Sequence, residues 1–337
     1  MSLQSLSHFR KIQICLAAAL LTTLYFVYAT NGPSSFSSSE QSIPLLSSSP
    51  SSPNTGSGSE VGVAAAEEEY VAFCVAHRNQ HTDLPEFLKH HYHHHGIRRF
   101  YIMDDLSDPP LSSFVEDWGV PRNTLSFQYY DKQAQHRDKV MQTHIYSECA
   151  RLYGSQHTWM AFVDADEYFE ARKEGETLTS ILREFGEQQE IGALGVNWRL
   201  HSSANLTKRP DSMRKGFTSC VGDPEILPVD QLPDYKDNRL IKSIVKTALF
   251  EKPLSPHMFK TRNGTHTVGE HGDKIEDGDG IRQPITRDRI ALHHYTLKSR
   301  EQFEEKTKSW SMKGWEYWDH IEGLPQIHCE EMTKYEP

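Results

Sequence analysis

Three acids close an apolar run in Phe162-Val163-Asp164-Ala165-Asp166-Glu167-Tyr168-Phe169. Two carboxylates one residue apart share a face of an extended chain, and they can converge on one cation where the chain turns out of the strand. Hard divalent cations such as Mg2+ and Mn2+ take oxygen ligands and keep positions open for phosphate oxygens. The chemistry open to Asp164 and Asp166 is therefore to hold a divalent cation against a phosphate-bearing ligand. The alternative is a solvated acidic turn. Glu167 either orients a ligand or stands behind the other two acids. A bare DxD tripeptide is common, so the elements around it must decide.

Those elements read as alternating strands and helices. Residues 70–76 form a buried apolar strand ending in the polar turn His77-Arg78-Asn79-Gln80. A helix follows, capped by Thr82 or Asp83, with Pro85 in its first turn and Gly96 as its stop. Residues 99–103 form a second strand that runs into Asp104-Asp105. This β-α-β order predicts a parallel pair, and ligands of such sheets bind at the carboxyl ends of the strands. Arg78, Asn79, Asp104 and Asp105 would all lie there. Further strands are expected at 124–130, 159–163, 191–198, 240–250 and 289–295, and helices at 136–153, 178–185 and 299–315, with 203–237 as a long polar loop. Residues 70–337 contain no repeat and no linker, which predicts one α/β domain with a mostly parallel central sheet. Five histidines crowd positions 90–95 around Tyr92. On a helix they point different ways, so they read as core-facing and solvated residues with incidental metal affinity.

The formal net charge of -10 argues against a nucleic-acid partner held by phosphate neutralisation. It remains compatible with a nucleotide whose phosphates a cation neutralises. Arg10-Lys11 precedes an uncharged stretch at 12–28, close to the lower limit of roughly 17 residues for a membrane-spanning helix. With positive charge on its N-terminal side, this predicts a cytosolic tail at 1–11, a signal anchor at 12–29 and a lumenal remainder. A cleaved signal peptide is the other reading, although its apolar core is usually about 7 to 15 residues. Residues 30–69 are rich in Ser, Pro and Gly and read as a disordered stem. Two sequons, at Asn205 and Asn263, fit a lumenal domain. Beyond Cys15 in the anchor, Cys74, Cys149, Cys220 and Cys329 allow two disulfides in three connectivities. Cys74, inside an apolar run, also suits a buried free thiol.

In order along most of 70–315, the chain resembles glycosyltransferase family 92 and its family-2-like relatives. The elements that carry the resemblance are the turn ending in Arg78-Asn79, Pro85-Glu86-Phe87-Leu88 leading to Gly96-Ile97, Phe100 to Asp105, Trp159 to Phe169, and His294-Tyr295 with Lys298-Ser299. It departs at Gln80, where relatives often have an acid, and at Leu106, where Gly is common. The resemblance implies the GT-A fold, a Rossmann-like nucleotide-sugar-binding domain. It further implies that Asp164 and Asp166 hold Mn2+ (or Mg2+) against the donor diphosphate, with His294 as a third ligand and Asp104 or Asp105 on the nucleoside. Arg78 and Asn79 join these in donor binding. The expected donor is a UDP-sugar, with galactose first, and the expected acceptor is a glycan. Oligomeric state is left open.

If the reaction inverts the anomeric centre, as the resemblance implies, a carboxylate must take the acceptor's proton. Glu270 and Asp273, flanked by glycines in Val268 to Asp273, are the first choices, with Asp223 and Asp237 as alternatives. Arg137 and Lys139 could pair with phosphate or simply face water. A type II protein of the Golgi membrane is the resulting reading, with secretion after cleavage as the alternative. Two competing functions use the same acids or the same fold: a metal-dependent lumenal hydrolase, and a non-catalytic carbohydrate-binding protein. No hydrolase signature such as HxxEH or GxSxG is present.

Overall fold

In the computed structural model the residues described are 69–114, 117–131, 141–224, 236–309 and 314–336. The expected anchor and stem, together with Arg137 and Lys139, lie outside them. Among the described residues no helix is long and apolar enough to cross a membrane.

Val71–His77 (β1) is the axis of the sheet. Its side chains are buried along almost the whole strand, as expected for an apolar run covered on both faces. Alternate residues serve two cores. Val71, Phe73 and Val75 pack with Leu84–His95 (α1) and Leu178–Gly186 (α3), whereas Ala72 and Cys74 pack with Met141–Tyr153 (α2). The period of two thus converts one strand into the centre of three layers. Phe100–Asp105 (β2) and Trp159–Val163 (β4) pair parallel with β1 on either side, and Leu125–Tyr130 (β3) extends the sheet beyond β2. Ile241–Lys246 (β8) runs antiparallel between β4 and Ile191–Leu200 (β6). Short strands His266–Val268 (β11) and Lys274–Ile275 (β12) finish that edge.

The sequence expectations hold for these main elements, and the departures are local. Residues 167–171, read only as a return to aromatics, form a strand, Glu167–Ala171 (β5). It pairs antiparallel with Ile290–His294 (β13), which in turn pairs parallel with the end of β6. The loop expected at 203–237 contains Met213–Gly216 (α4) and Ser219–Val221 (β7). Two further short strands, Phe250–Pro253 (β9) and Phe259–Thr261 (β10), pair with each other. The single helix expected at 299–315 is two, Arg300–Ser309 (α5) and Gly314–Gly323 (α6), and Gln326–His328 (β14) returns to pair with β7. Disulfides join Cys74 to Cys149, tying β1 to α2, and Cys220 to Cys329, tying β7 to the C-terminal segment. Cys74 is therefore not a free thiol. Both sequon asparagines are exposed.

The histidine tract positions β5. His90, His91 and His95 are buried on the inner face of α1, while His93 and His94 lie towards solvent and Gly96, at φ 70°, ends the helix. The rings of His90 and His95 reach the Phe169 carbonyl through Nε2 at 2.7 and 2.8 Å, and the Phe169 N–H donates to His91 Nε2 at 3.2 Å. Each imidazole meets a second group through its other nitrogen: Arg214, the Phe87 carbonyl and the Leu178 N–H, respectively. This arrangement uses neutral rings only, and burial pushes all three well below the ordinary histidine range, His95 to about 4. Because the folded values lie below the unfolded one, the unfolded chain takes up protons first as pH falls. Stability present above pH ~6.5 is then lost towards pH 4, on the order of 3 kcal/mol for His95 alone. Urea unfolding between pH 7.5 and 4.5 should show this decline, and His95→Gln should flatten it.

Candidate active site

β4 delivers its acids into a tight, doubly closed turn. The Glu167 N–H donates to the Asp164 carbonyl at 3.1 Å, and the Asp164 N–H donates to Glu167 Oε2 at 2.9 Å. Glu167 is fully buried and so acts as the clasp of the turn, with Oε1 left without a partner. The Tyr295 N–H donates to the Asp166 carbonyl at 2.9 Å, which fixes the turn to the end of β13. Strand register sets His294 opposite Glu167. His294 Nε2 stands 3.6 Å from Asp166 Oδ1, and its buried Nδ1 has no partner.

Three lysines surround the acids. Lys242 Nζ, on β8, donates to Asp164 Oδ2 at 2.9 Å and lies 3.4 Å from Glu167 Oε2. Lys298 and Lys306 approach Asp166 Oδ2 at 3.3 and 3.1 Å. Gln142 and Tyr146, on α2, donate to Asp164 Oδ1 at 2.7 and 3.3 Å. Burial pulls the Lys242 ammonium down, but Asp164 and Glu167 beside it more than offset this and hold it well above the ordinary lysine value. Burial pushes Asp166 up, yet Lys306, Lys298 and His294 bring it well below the usual carboxylate range. Glu167 is raised by burial, with Asp164 adding to the effect against the pull of Lys242. Burial lowers His294 to about 3, so its imidazole is neutral.

These groups open on a cavity of about 320 Å3 at the carboxyl ends of the parallel strands. Asp164, Asp166 and His294 line it together with Arg78, whose buried Nε has no partner, and with His257 and Trp198. A larger cleft of about 1060 Å3 lies at the opposite ends of β4 and β8, beside Thr158 and Lys246, away from this acid cluster. The donor set of two carboxylates and one neutral imidazole is rich in hard oxygen and suits Mn2+ or Mg2+. His294 Nε2 and Asp166 Oδ1, 3.6 Å apart, face one another and fit such a group, whereas both oxygens of Asp164 are held by Gln142, Tyr146 and Lys242 and would have to exchange a partner to join them.

Several expected site residues are placed elsewhere. Asp104 spends both carboxylate oxygens on the N–H groups of Ser107 and Leu111, at 2.9 and 2.7 Å, so it shapes the loop after β2 and is not open to a nucleoside. Asp105 is half-buried at the strand end and does not line the cavity. Asn79, at φ 53°, ties two loops together: its N–H donates to Ser107 Oγ, and its side-chain oxygen accepts from the Asp108 N–H. Leu106, where a glycine was expected, stands at φ 63°, which explains the glycine preference there.

Neither Glu270 nor Asp273 lines the cavity. Glu270 accepts the N–H groups of Asp288, Arg289 and Ile290 at 2.8 to 2.9 Å, stapling the entry to β13. Asp273 forms a two-point pair with Arg282, both contacts at 2.7 Å. Asp223 is held by Arg199 and Arg287, and Asp237 lies 3.1 Å from His320. Burial pushes Glu270, Asp273 and Asp223 up, but their hydrogen bonds and guanidinium partners outweigh it and hold all three below the ordinary carboxylate range, which makes them poor proton acceptors. Sequence reading missed Lys242, Lys306, Gln142 and His257. Lys242 alone left a signal, as a charge within the apolar strand Ile241–Lys246.

The description of glycosyltransferase family 92 matches residues 69–273, more than half of the chain. No curated protein matches at a significant level. Among solved structures, a mannosyltransferase from Pyrobaculum calidifontis in complex with GDP-Man and Mn2+ is similar at 20% identity, covering 39% of this chain and 36% of that one, with a TM-score of 0.30. The chain thus spans little more than a third of that enzyme, and at this level the likeness carries nothing about donor or metal.

Removing the Lys242 charge leaves Asp164 and the buried Glu167 without their cation. Lys242→Met should destabilise the fold by about 3 to 5 kcal/mol in urea unfolding. Adding Glu167→Gln should recover part of that loss, whereas additive losses would show that the lysine acts independently of the clasp.

Proposed function

Because the chain belongs to glycosyltransferase family 92 and is a glycosyltransferase, we propose that it transfers a hexose, galactose first, from a UDP-sugar to a hydroxyl of a glycan acceptor with inversion. The observation that carries this reading is the Asp164–Glu167 turn, which opens with His294 on one cavity at the carboxyl ends of the parallel strands. The mixed α/β architecture, with a parallel β3-β2-β1-β4 block followed by the reversed β8, fits a GT-A-like fold. A hydrolase of the same acids is disfavoured by family membership.

Asp164, Asp166 and His294 would hold Mn2+ or Mg2+, which supplies Lewis-acid stabilisation of charge on the departing diphosphate. The chain's own residues do the rest of the binding. Lys306 and Arg78 present positive charge to the same cavity, suited to phosphate oxygens. Lys298, buried between Asp83 at 2.7 Å and Asp166, fixes the height of the acid turn against the start of α1. Trp198 offers an aromatic wall suited to a sugar ring. The two disulfides and exposed sequons suit a lumenal domain, and an anchor at 12–29 would make the protein type II in the Golgi membrane.

The full chain in detergent, given UDP-sugars and a panel of glycan acceptors, should release UDP with Mn2+ present and stop on chelation. Asp164→Ala and Asp166→Ala should each lower kcat by roughly 100-fold or more. Turnover that survives both substitutions and chelation would overturn the metal-dependent reading.

A further inference from the structure

The carboxylates expected to take the acceptor's proton are engaged elsewhere, and the cavity itself offers a different group. Among the described residues that line it, the acids are Asp164 and Asp166, both paired with lysines. Three imidazoles also line it: His77, His294 and His257. His77 is buried and turned through Nε2 to the Gln80 carbonyl at 2.9 Å, and His294 stands beside Asp166. His257 differs in being half-buried, with one nitrogen fixed and the other uncommitted.

Its position is tightly determined. His257 Nδ1 donates to the Ile241 carbonyl of β8 at 3.1 Å, which fixes the tautomer with the lone pair on Nε2. Ser243 Oγ donates to the His257 carbonyl at 2.7 Å, and the His257 N–H donates to Ser255 Oγ at 3.1 Å. Gly280, at φ 84°, packs so closely that a Cβ there would meet the His257 Cβ at 2.6 Å. The imidazole stands edge-on to Trp198, with ring centroids 5.0 Å apart. Backbone, hydroxyl and ring contacts thus hold one imidazole at the cavity wall, while no hydrogen bond to Nε2 is made among the described residues.

We propose that His257 is the proton acceptor for the attacking hydroxyl, a role that rests on the transferase reading above. The acceptor O–H proton passes to His257 Nε2 as the acceptor oxygen bonds to the anomeric carbon. The bond from that carbon to the donor's phosphate oxygen breaks, and its electron pair leaves on the nucleoside diphosphate. Proton and charge therefore balance within the step, giving an imidazolium and an anionic leaving group in one cavity. Burial, with Lys242 next, lowers the imidazole to about 4, so it is neutral but a weak base in the empty site, and the negative charge of the bound diphosphate raises its proton affinity for the step. Asp164 acts on the ring in the same sense as the diphosphate.

The test uses the full chain and its His257→Ala and His257→Gln variants, with UDP binding in Mn2+ measured by calorimetry beside transfer kinetics. Both variants should bind UDP within about threefold of the parent and lose roughly 100-fold or more in kcat. Free imidazole should restore part of the loss in His257→Ala and none in His257→Gln, where the side chain still fills the space. Transfer within fivefold of the parent in either variant overturns the proposal, as does a loss of UDP affinity that matches the loss of rate. Absence of rescue in a His257→Ala protein that binds UDP normally also overturns it. If the parent itself transfers no sugar from any UDP donor to any acceptor, the underlying transferase reading fails instead.

Discussion

The site depends on a single closed turn. The Glu167 carboxylate reaches back to the Asp164 N–H while its own N–H meets the Asp164 carbonyl, so two flanking acids are aimed by the third. Burying that carboxylate is costly unless a cation compensates, and Lys242 supplies it from the antiparallel strand β8. The reversal of β8 between β4 and β6 therefore matters chemically. It carries an ammonium to the carboxyl end of β4, where a parallel neighbour would present the other end of its strand.

The second support comes from outside the sheet. Once the chain leaves the turn it becomes β5, and the three neutral histidines of α1 grip the Phe169 peptide from both sides. Imidazole can donate through one nitrogen and accept through the other, so this cluster satisfies buried backbone groups without bringing charge into the core. β5 then pairs with β13, and that pairing sets His294 beside the acids. The histidine-rich tract and the candidate ligand His294 thus belong to one chain of contacts, although the tract itself lies away from the cavity.

Much of the scaffold was legible because its signals are local. Apolar runs at 70–76 and 159–163, the Pro85 start and Gly96 stop of α1, and the strand-end acids each follow from neighbours in sequence. The disulfide pairing was not legible, since Cys74 finds Cys149 only once α2 lies across β1. Nor was the fate of Glu270. A Gly-flanked acid in a loop reads equally well as a reactive group or a backbone staple, and three distant N–H groups decide the matter. Asp104 and Asp105 illustrate the same limit over one residue, because only the loop geometry reveals that Asp104 is fully used. His257 left no pattern at all. Its importance arises from Ile241, Ser243, Trp198 and Gly280, which meet it only in the folded sheet.

The charge inventory of the cavity constrains what can bind there. Asp164 and Asp166 are each neutralised by ammonium groups, and those groups are held by the same acids. An uncharged ligand offers neither side a better partner. An anion alone would draw Lys306 or Arg78 towards it and leave Asp166 less compensated, while a cation alone would compete with three lysines already in place. A ligand carrying both a polyanion and its own cation satisfies both sets at once, with little net charge transferred into a partly buried space. By this argument the lysines do more than fill the gap between the acids: they favour a ligand that brings anionic and cationic charge together over one that brings either alone.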